Sequence, residues 1–336
     1  MGLTRDLCNL IAETRYESLG ADCVDRVREV IKDGLAVALA GCRYPQISLS
    51  AEHVRSLGGA PQATVWGWGF KASVVQAAYV NGAATHVLDY EPMWKPSTHA
   101  LSPTLPVAFA LAEERGATGR QLITAVAKGL EIQGRMLLAG NLYTSEKMRF
   151  HPPGVVGVLG SAVAASDMLQ LGVQKMQHAI GLAASRAGSL VANIGSMTKC
   201  THCGTAAASG LDAALLAKRG FTANPDVIEA PKGFAETFYL GTFEPEEAHT
   251  AAHSGSSIRE WRSSSSPRNT ARTTRSRRAS SSRRRCPTSP ASLECASCRR
   301  SAAISTGRNR ATVSKASTAS NTPGLCRSMP QVIDVL

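Results

Sequence analysis

The sequence predicts a mainly α-helical domain over residues 1–247, followed by a basic tail over 248–336 with no core of its own. Three observations predict it. Apolar residues recur at helical spacing through most of the first 219 positions. No run of βαβ units and no Gly-rich phosphate loop interrupts them, which argues against a nucleotide-binding α/β fold. Near residue 247 the composition changes abruptly. At 336 residues the chain is long enough to bury a sizeable core.

The elements follow in order. Val24, Val27, Ile31 and Leu35 share one stripe, with Asp25, Arg28, Glu29 and Lys32 opposite and Gly41 at a plausible stop. Residues 63–67 alternate as a short strand pair would. Residues 72–88 are apolar nearly all round, as a buried helix is. A third helix spans 103–114, with Pro103 in its first turn and Gly116 after its end. A fourth begins at Thr118 and runs to about Leu138, and 155–169, 173–187 and 204–219 continue the series. Frequent Gly, Ala and Ser allow the helices to approach closely. The 232–234 segment reads as a turn.

The charge is uneven. From Ala248 onward there are 16 Lys+Arg against 3 Asp+Glu, a net +13 beside +12 for the whole chain, so the body is near −1. A near-neutral body gives no electrostatic case for a nucleic-acid or membrane partner. The first residues are polar and lack a secretory pattern, and nine irregularly spaced cysteines do not form a disulfide framework. A soluble cytoplasmic protein is expected.

The tail holds 20 Ser and one aromatic residue, Trp261. Taken literally it is a disordered Arg/Ser segment. Back-translated and read one base earlier, it instead gains aromatics and apolar alternation; residues 269–274, for example, become Gln-Tyr-Gly-Thr-His-Tyr. A frame change close to Ala248 is therefore expected. Cys295 and Cys298 fall in this segment and are set aside.

Polar clusters mark the helix ends. The loop from Asp89 to His99 includes Met93, Lys95 and two prolines, and places a carboxylate and an imidazole where they could face one cavity. Surface salt-bridging and capping would account for it equally well. His151, followed by Pro152 and Pro153, opens an apolar helix beside backbone N–H groups that suit a carboxylate, although a turn role is also open. Lys199 and His202 lie just ahead of a helix, where Lys199 could hold a carboxylate as a point charge. Cys200 and Cys203 beside His202 invite a zinc reading, but no second pair of suitable spacing is near, and no metal is assigned. Such groups without a nucleotide or metal signature suit acid–base chemistry on an anionic substrate, with no cofactor.

In order and spacing these clusters resemble the MmgE/PrpD family, which includes 2-methylcitrate dehydratase, cis-aconitate decarboxylase and iminodisuccinate epimerase. The matching residues are 79–83, 88–90, 94–99, 149–153, Gly157, Gly160 to Ala162, Thr198, Lys199, His202 and Gly204. The resemblance covers nearly all of residues 1–246, and the shifted tail also looks like the family's continuation. It implies a large all-helical domain with a smaller α+β lid, here missing or replaced by the basic tail, usually in a homodimer. It implies a di- or tricarboxylate substrate, with Asp89, His99, His151 and Lys199 as catalytic residues. Lys199, His202, Met93 and Lys95 would contact the substrate. Met93 stands where the decarboxylase has a hydroxyl residue and Lys95 where it has a histidine, so dehydration of a 2-methylcitrate-like acid is favoured over decarboxylation or epimerisation. Without its lid the chain is expected to be weakly active. The rivals are a nucleic-acid-binding protein using the Arg/Ser tail and a non-catalytic helical scaffold.

The coding DNA around codon 248 tests the frame reading. An open shifted frame rich in apolar and aromatic codons is expected; early stop codons in that frame contradict it.

Overall fold

The computed structural model describes residues 2–93, 97–140 and 148–250. Lys95 and the expectations for residues 251–336 fall outside them. The described residues are mainly helical, as the sequence predicts. Helix α1 (Leu3–Glu13) is followed by α2 (Ala21–Gly41) and α3 (Pro45–Leu57). A two-stranded antiparallel ribbon, β1 (Ala63–Val65) and β2 (Phe70–Ala72), precedes α4 (Val74–His86), α5 (Leu101–Arg115) and α6 (Gly119–Gly140). Then come α7 (Pro152–Met168), α8 (Val173–Ala184), α9 (Thr198–Lys218), α10 (Phe234–Tyr239) and α11 (Pro245–Thr250).

Local chemistry sets several boundaries. Ser73 and Gln76 exchange side-chain and backbone hydrogen bonds in a capping box, so α4 starts at Val74 rather than at residue 72. Helix α5 stops where Gly116 adopts φ +64°, a left-handed cap that closes the last turn. Helix α3 lies where the sequence reading placed no element. It starts on Pro45 and buries a narrow stripe, Ile47, Ala51 and Val54, within a largely polar segment.

The largest correction concerns α9. The sequence reading began this helix at Gly204, whereas it begins at Thr198, so Lys199 and His202 sit within its first two turns. Gly204 is an interior contact point rather than a start. A Cβ there would lie 2.3 Å from the Tyr79 carbonyl oxygen of α4, and one on Gly82 would lie 3.1 Å from Gly204 Cα. The two backbones therefore touch, as only small residues permit.

Helices α4, α5 and α7 bury residues on nearly every face, α7 and α9 pack extensively together, and α4 lies against α9. One apolar cluster joins α2, α3, the ribbon, α4 and α5; a second joins α1, α8 and α10 to the ends of α6 and α7. Buried Gln133 of α6 donates to the carbonyl of Ala100 and to Thr104 Oγ1, tying the start of α5 to the bundle. The C-terminal end of α4, the start of α5 and the N-termini of α7 and α9 thereby meet in one region.

Gly204→Ala is expected to lower stability by about 1–3 kcal/mol through overpacking at the α4–α9 crossing, read as a lower urea midpoint. An unchanged midpoint contradicts the close crossing.

Candidate active site

Five of the six described candidate residues converge at these helix ends. Asp89 follows α4 by three residues and has φ +60°, a left-handed conformation that Asp tolerates better than most side chains. Its N–H donates to the His86 carbonyl, which turns the chain sharply off the helix. The Asp89 carboxylate lies 3.1 Å from His99 Nε2 through Oδ1 and 2.6 Å from Lys199 Nζ through Oδ2. His151 faces His202 across α7 and α9, with 3.2 Å between their Nδ1 atoms. The His99 and His151 ring centroids are 6.4 Å apart. Met93 is exposed on the loop after Glu91.

One expectation at His151 is corrected. It is the N-cap of α7, but the next two residues are prolines without N–H groups, and the Gly154 N–H donates to the His151 carbonyl. The helix start thus has few donors left for a carboxylate. His151 is instead fixed through its own N–H, which donates to the Ser189 carbonyl at 2.7 Å, and through the ring of His202. A Cβ on Gly154 would lie 2.1 Å from Ser189 Oγ, so this residue must be small for the strap at 188–190 to reach His151.

Two members of the cluster were not selected from the sequence. Glu91 is fully enclosed, with its Oε1 2.6 Å from His86 Nδ1, 2.5 Å from Ser102 Oγ and 3.2 Å from His99 Nδ1. The last is a charge contact whose angle falls outside hydrogen-bond alignment. His86 is itself buried at the end of α4. The available signal was a histidine ending an apolar helix, followed by two carboxylates at alternate positions.

The electrostatics divide the histidines. Burial pushes His151 down to about 3, assisted by the neighbouring His86, His202, His99 and Lys199, so its imidazole is neutral near pH 7. Burial, with His86 and Lys199, also lowers His202. Burial alone would raise Glu91, but its contacts with His86 and His99 outweigh that and hold the carboxyl well below the usual range. Asp89 is lowered too: burial opposes, and Lys199 and His99 prevail.

Ligand atoms of His86, Asp89, Glu91 and His99 all lie within 4.8 Å of one another, a nitrogen and oxygen set that could surround a divalent cation. The spacing fits a proton network better. His86 Nδ1 and Glu91 Oε1 are at hydrogen-bond distance, and the Lys199 ammonium already supplies positive charge to Asp89. The Cys200 thiol donates to the Met197 carbonyl, and burial raises both Cys200 and Cys203, disfavouring the thiolates that zinc needs.

A mainly helical domain with a His, Lys and carboxylate cluster at its helix ends is the class of protein that this architecture defines. A model of the MmgE/PrpD N-terminal domain matches residues 5–246, and the chain belongs to the MmgE/PrpD family. It is similar to the cis-aconitate decarboxylase of Homo sapiens, 36% identical over 242 residues that cover 70% of this chain and 50% of that protein. It is 33% identical to that of Mus musculus over 250 residues, 73% of this chain and 51% of that protein. It is 31% identical to that of Aspergillus terreus over 252 residues, 71% of this chain and 51% of that protein. The chain spans about half the length of these curated relatives. Among the described residues no helix is long and apolar enough to cross a membrane.

Asp89, Glu91, His151 and His202 all bind protons more weakly folded than unfolded. Their contribution is complete above the unfolded values and is lost as pH falls. The histidine part begins below 6.5 and, for His151, runs to about 3; the carboxylate part begins below 4.5 for Glu91 and 3.8 for Asp89. Each group adds a slope of at most ~1.4 kcal/mol per pH unit. Urea midpoints between pH 6.5 and 4.5 are expected to decline less steeply in His151→Gln; the parental slope in that variant contradicts the neutral buried imidazole.

Proposed function

We propose that the cluster is the helical-domain half of a lyase site for a small di- or tricarboxylate, worked by acid–base chemistry. The observation that carries this reading is the line from Lys199 through Asp89 to His99, with neutral His151 close by. Lys199 has three N–H donors and gives one direction to Asp89, which leaves donors for a substrate carboxylate. Nearly a quarter of its side chain and half of that of Asp89 face solvent, so the ligand approaches from their side. His151, neutral near pH 7, offers a ring nitrogen that can accept a proton or a hydrogen bond from the substrate. His99 lies between two carboxylates, a setting that suits a proton donor.

The names of the relatives favour decarboxylation of a cis-aconitate-like acid. In that reaction the bond to the departing carboxylate breaks and its electron pair stays with the substrate carbon skeleton. A proton from His99 then quenches the carbanion as CO2 leaves. Met93 and Lys95 support a second reading, dehydration of a 2-methylcitrate-like acid. There His151 removes the proton α to a carboxylate, and the donor protonates the departing hydroxyl. Either reaction in a homodimer accords with the family resemblance, and the near-neutral body favours no nucleic-acid partner.

Calorimetric titration of the 336-residue chain with cis-aconitate tests the binding face. Lys199→Met is expected to weaken it about 10- to 100-fold, the loss of a charged hydrogen bond of roughly 1.5–3 kcal/mol. No binding, or binding indifferent to Lys199, contradicts the site. Carbon NMR of the reaction mixture separates CO2 release from water loss. Turnover by this chain is expected to be slow, because residues 248–336 are read as having lost the lid sequence; brisk turnover contradicts that.

A further inference from the structure

We propose that Glu91 is a positioning residue that holds the His99 ring from behind through Nδ1 and turns its Nε2 to the substrate side. The inference rests on the acid–base reading of the cluster and adds a member to it. Glu91 has no exposure, lies behind the exposed groups and cannot meet a substrate arriving beside Asp89 and Lys199. A carboxylate in such a place is costly unless charges and hydrogen bonds compensate it. Ser102 and His86 donate to its Oε1, and His99 Nδ1 lies 3.2 Å from the same atom.

The arrangement constrains the proton inventory of His99. Its two ring nitrogens each face a carboxylate, Nδ1 toward Glu91 and Nε2 toward Asp89. A neutral imidazole offers one N–H and can turn it to only one of these carboxylates; the ring with both N–H groups turns one to each. With Nδ1 turned toward Glu91, the nitrogen left to exchange a proton outward is Nε2. The other donors show that Glu91 is built in rather than incidental. His86 belongs to α4 and Ser102 to α5, so the carboxylate is fixed from both flanking helices. Neither donor requires His99 to stabilise Glu91. Among the described residues, neither buried His99 Nδ1 nor Glu91 Oε2 has an aligned hydrogen-bond partner, so the 3.2 Å charge contact with Glu91 Oε1 is what faces that nitrogen.

Long-range 1H–15N spectra of the full chain labelled with 15N-histidine, recorded near pH 7 without ligand, test this directly. His99 is assigned by the signals lost in His99→Gln. In the parental protein Nδ1 of His99 is expected to carry a proton. In Glu91→Gln the Nδ1 proton signature is expected to be lost or exchanged for the other tautomer, and Glu91→Asp is expected to restore it in part. Ser102→Ala, which leaves the carboxylate in place, is expected to keep the parental pattern. An unprotonated Nδ1 in the parental protein overturns the proposal without any variant having to fold, and so does an unchanged pattern in folded Glu91→Gln. Because no substrate is present, these results are independent of the carboxylate titration. Loss of tricarboxylate binding alongside an intact His99 signature would sink the lyase reading and leave the positioning role standing.

Discussion

The contact between the backbones of α4 and α9 is the constraint on which the candidate site depends. Gly82 and Gly204 let the helices cross at a separation that any larger side chain would widen. The C-terminal end of α4 then lies beside the N-terminal turns of α9, which is why an Asp three residues past one helix meets a Lys at the second position of the other. That ion pair is partly open to solvent and contributes little as a surface bridge. Its consequence is geometric, because it marks the solvent-facing entrance to a polar cluster in an apolar bundle.

Behind this entrance the groups separate by environment. His151 and His202 share one hydrogen-bonding contact and are kept neutral by burial and neighbouring positive charge. Asp89 and Glu91 remain ionised because histidine and lysine contacts overcome the cost of burial. In the proposed function a base held neutral and a donor set between carboxylates coexist a few ångströms apart because each has its own partners. Opposed environments of this kind are how a single pocket serves both halves of a proton-transfer reaction.

Much of the fold was legible because buried helices announce themselves by composition. The segments that became α4, α5 and α7 are apolar all round, and their identification needed no knowledge of partners. Helix α3 was not legible, since three buried apolar residues in a polar stretch give a weak periodic signal. The start of α9 was misplaced because Gly204 looks like a boundary, and only the crossing with Tyr79 shows why a glycine sits inside the helix. Of the site, Asp89, His99, His151, Lys199 and His202 were legible as polar residues at helix ends. Glu91, His86 and Ser102 were not, because their importance lies in mutual distance across two helices. The donor-poor start of α7 was written in Pro152 and Pro153 and could have been read from their missing N–H groups.

The central claim is that these helix-end groups form one face that grips a small polyanion. A crystal structure of the 336-residue chain soaked with a tricarboxylate tests it most directly. The account predicts a carboxylate of the ligand against Lys199 Nζ, with its carbon skeleton between the rings of His99 and His151. Ligand bound elsewhere, with these three side chains undisturbed and facing solvent alone, would contradict it.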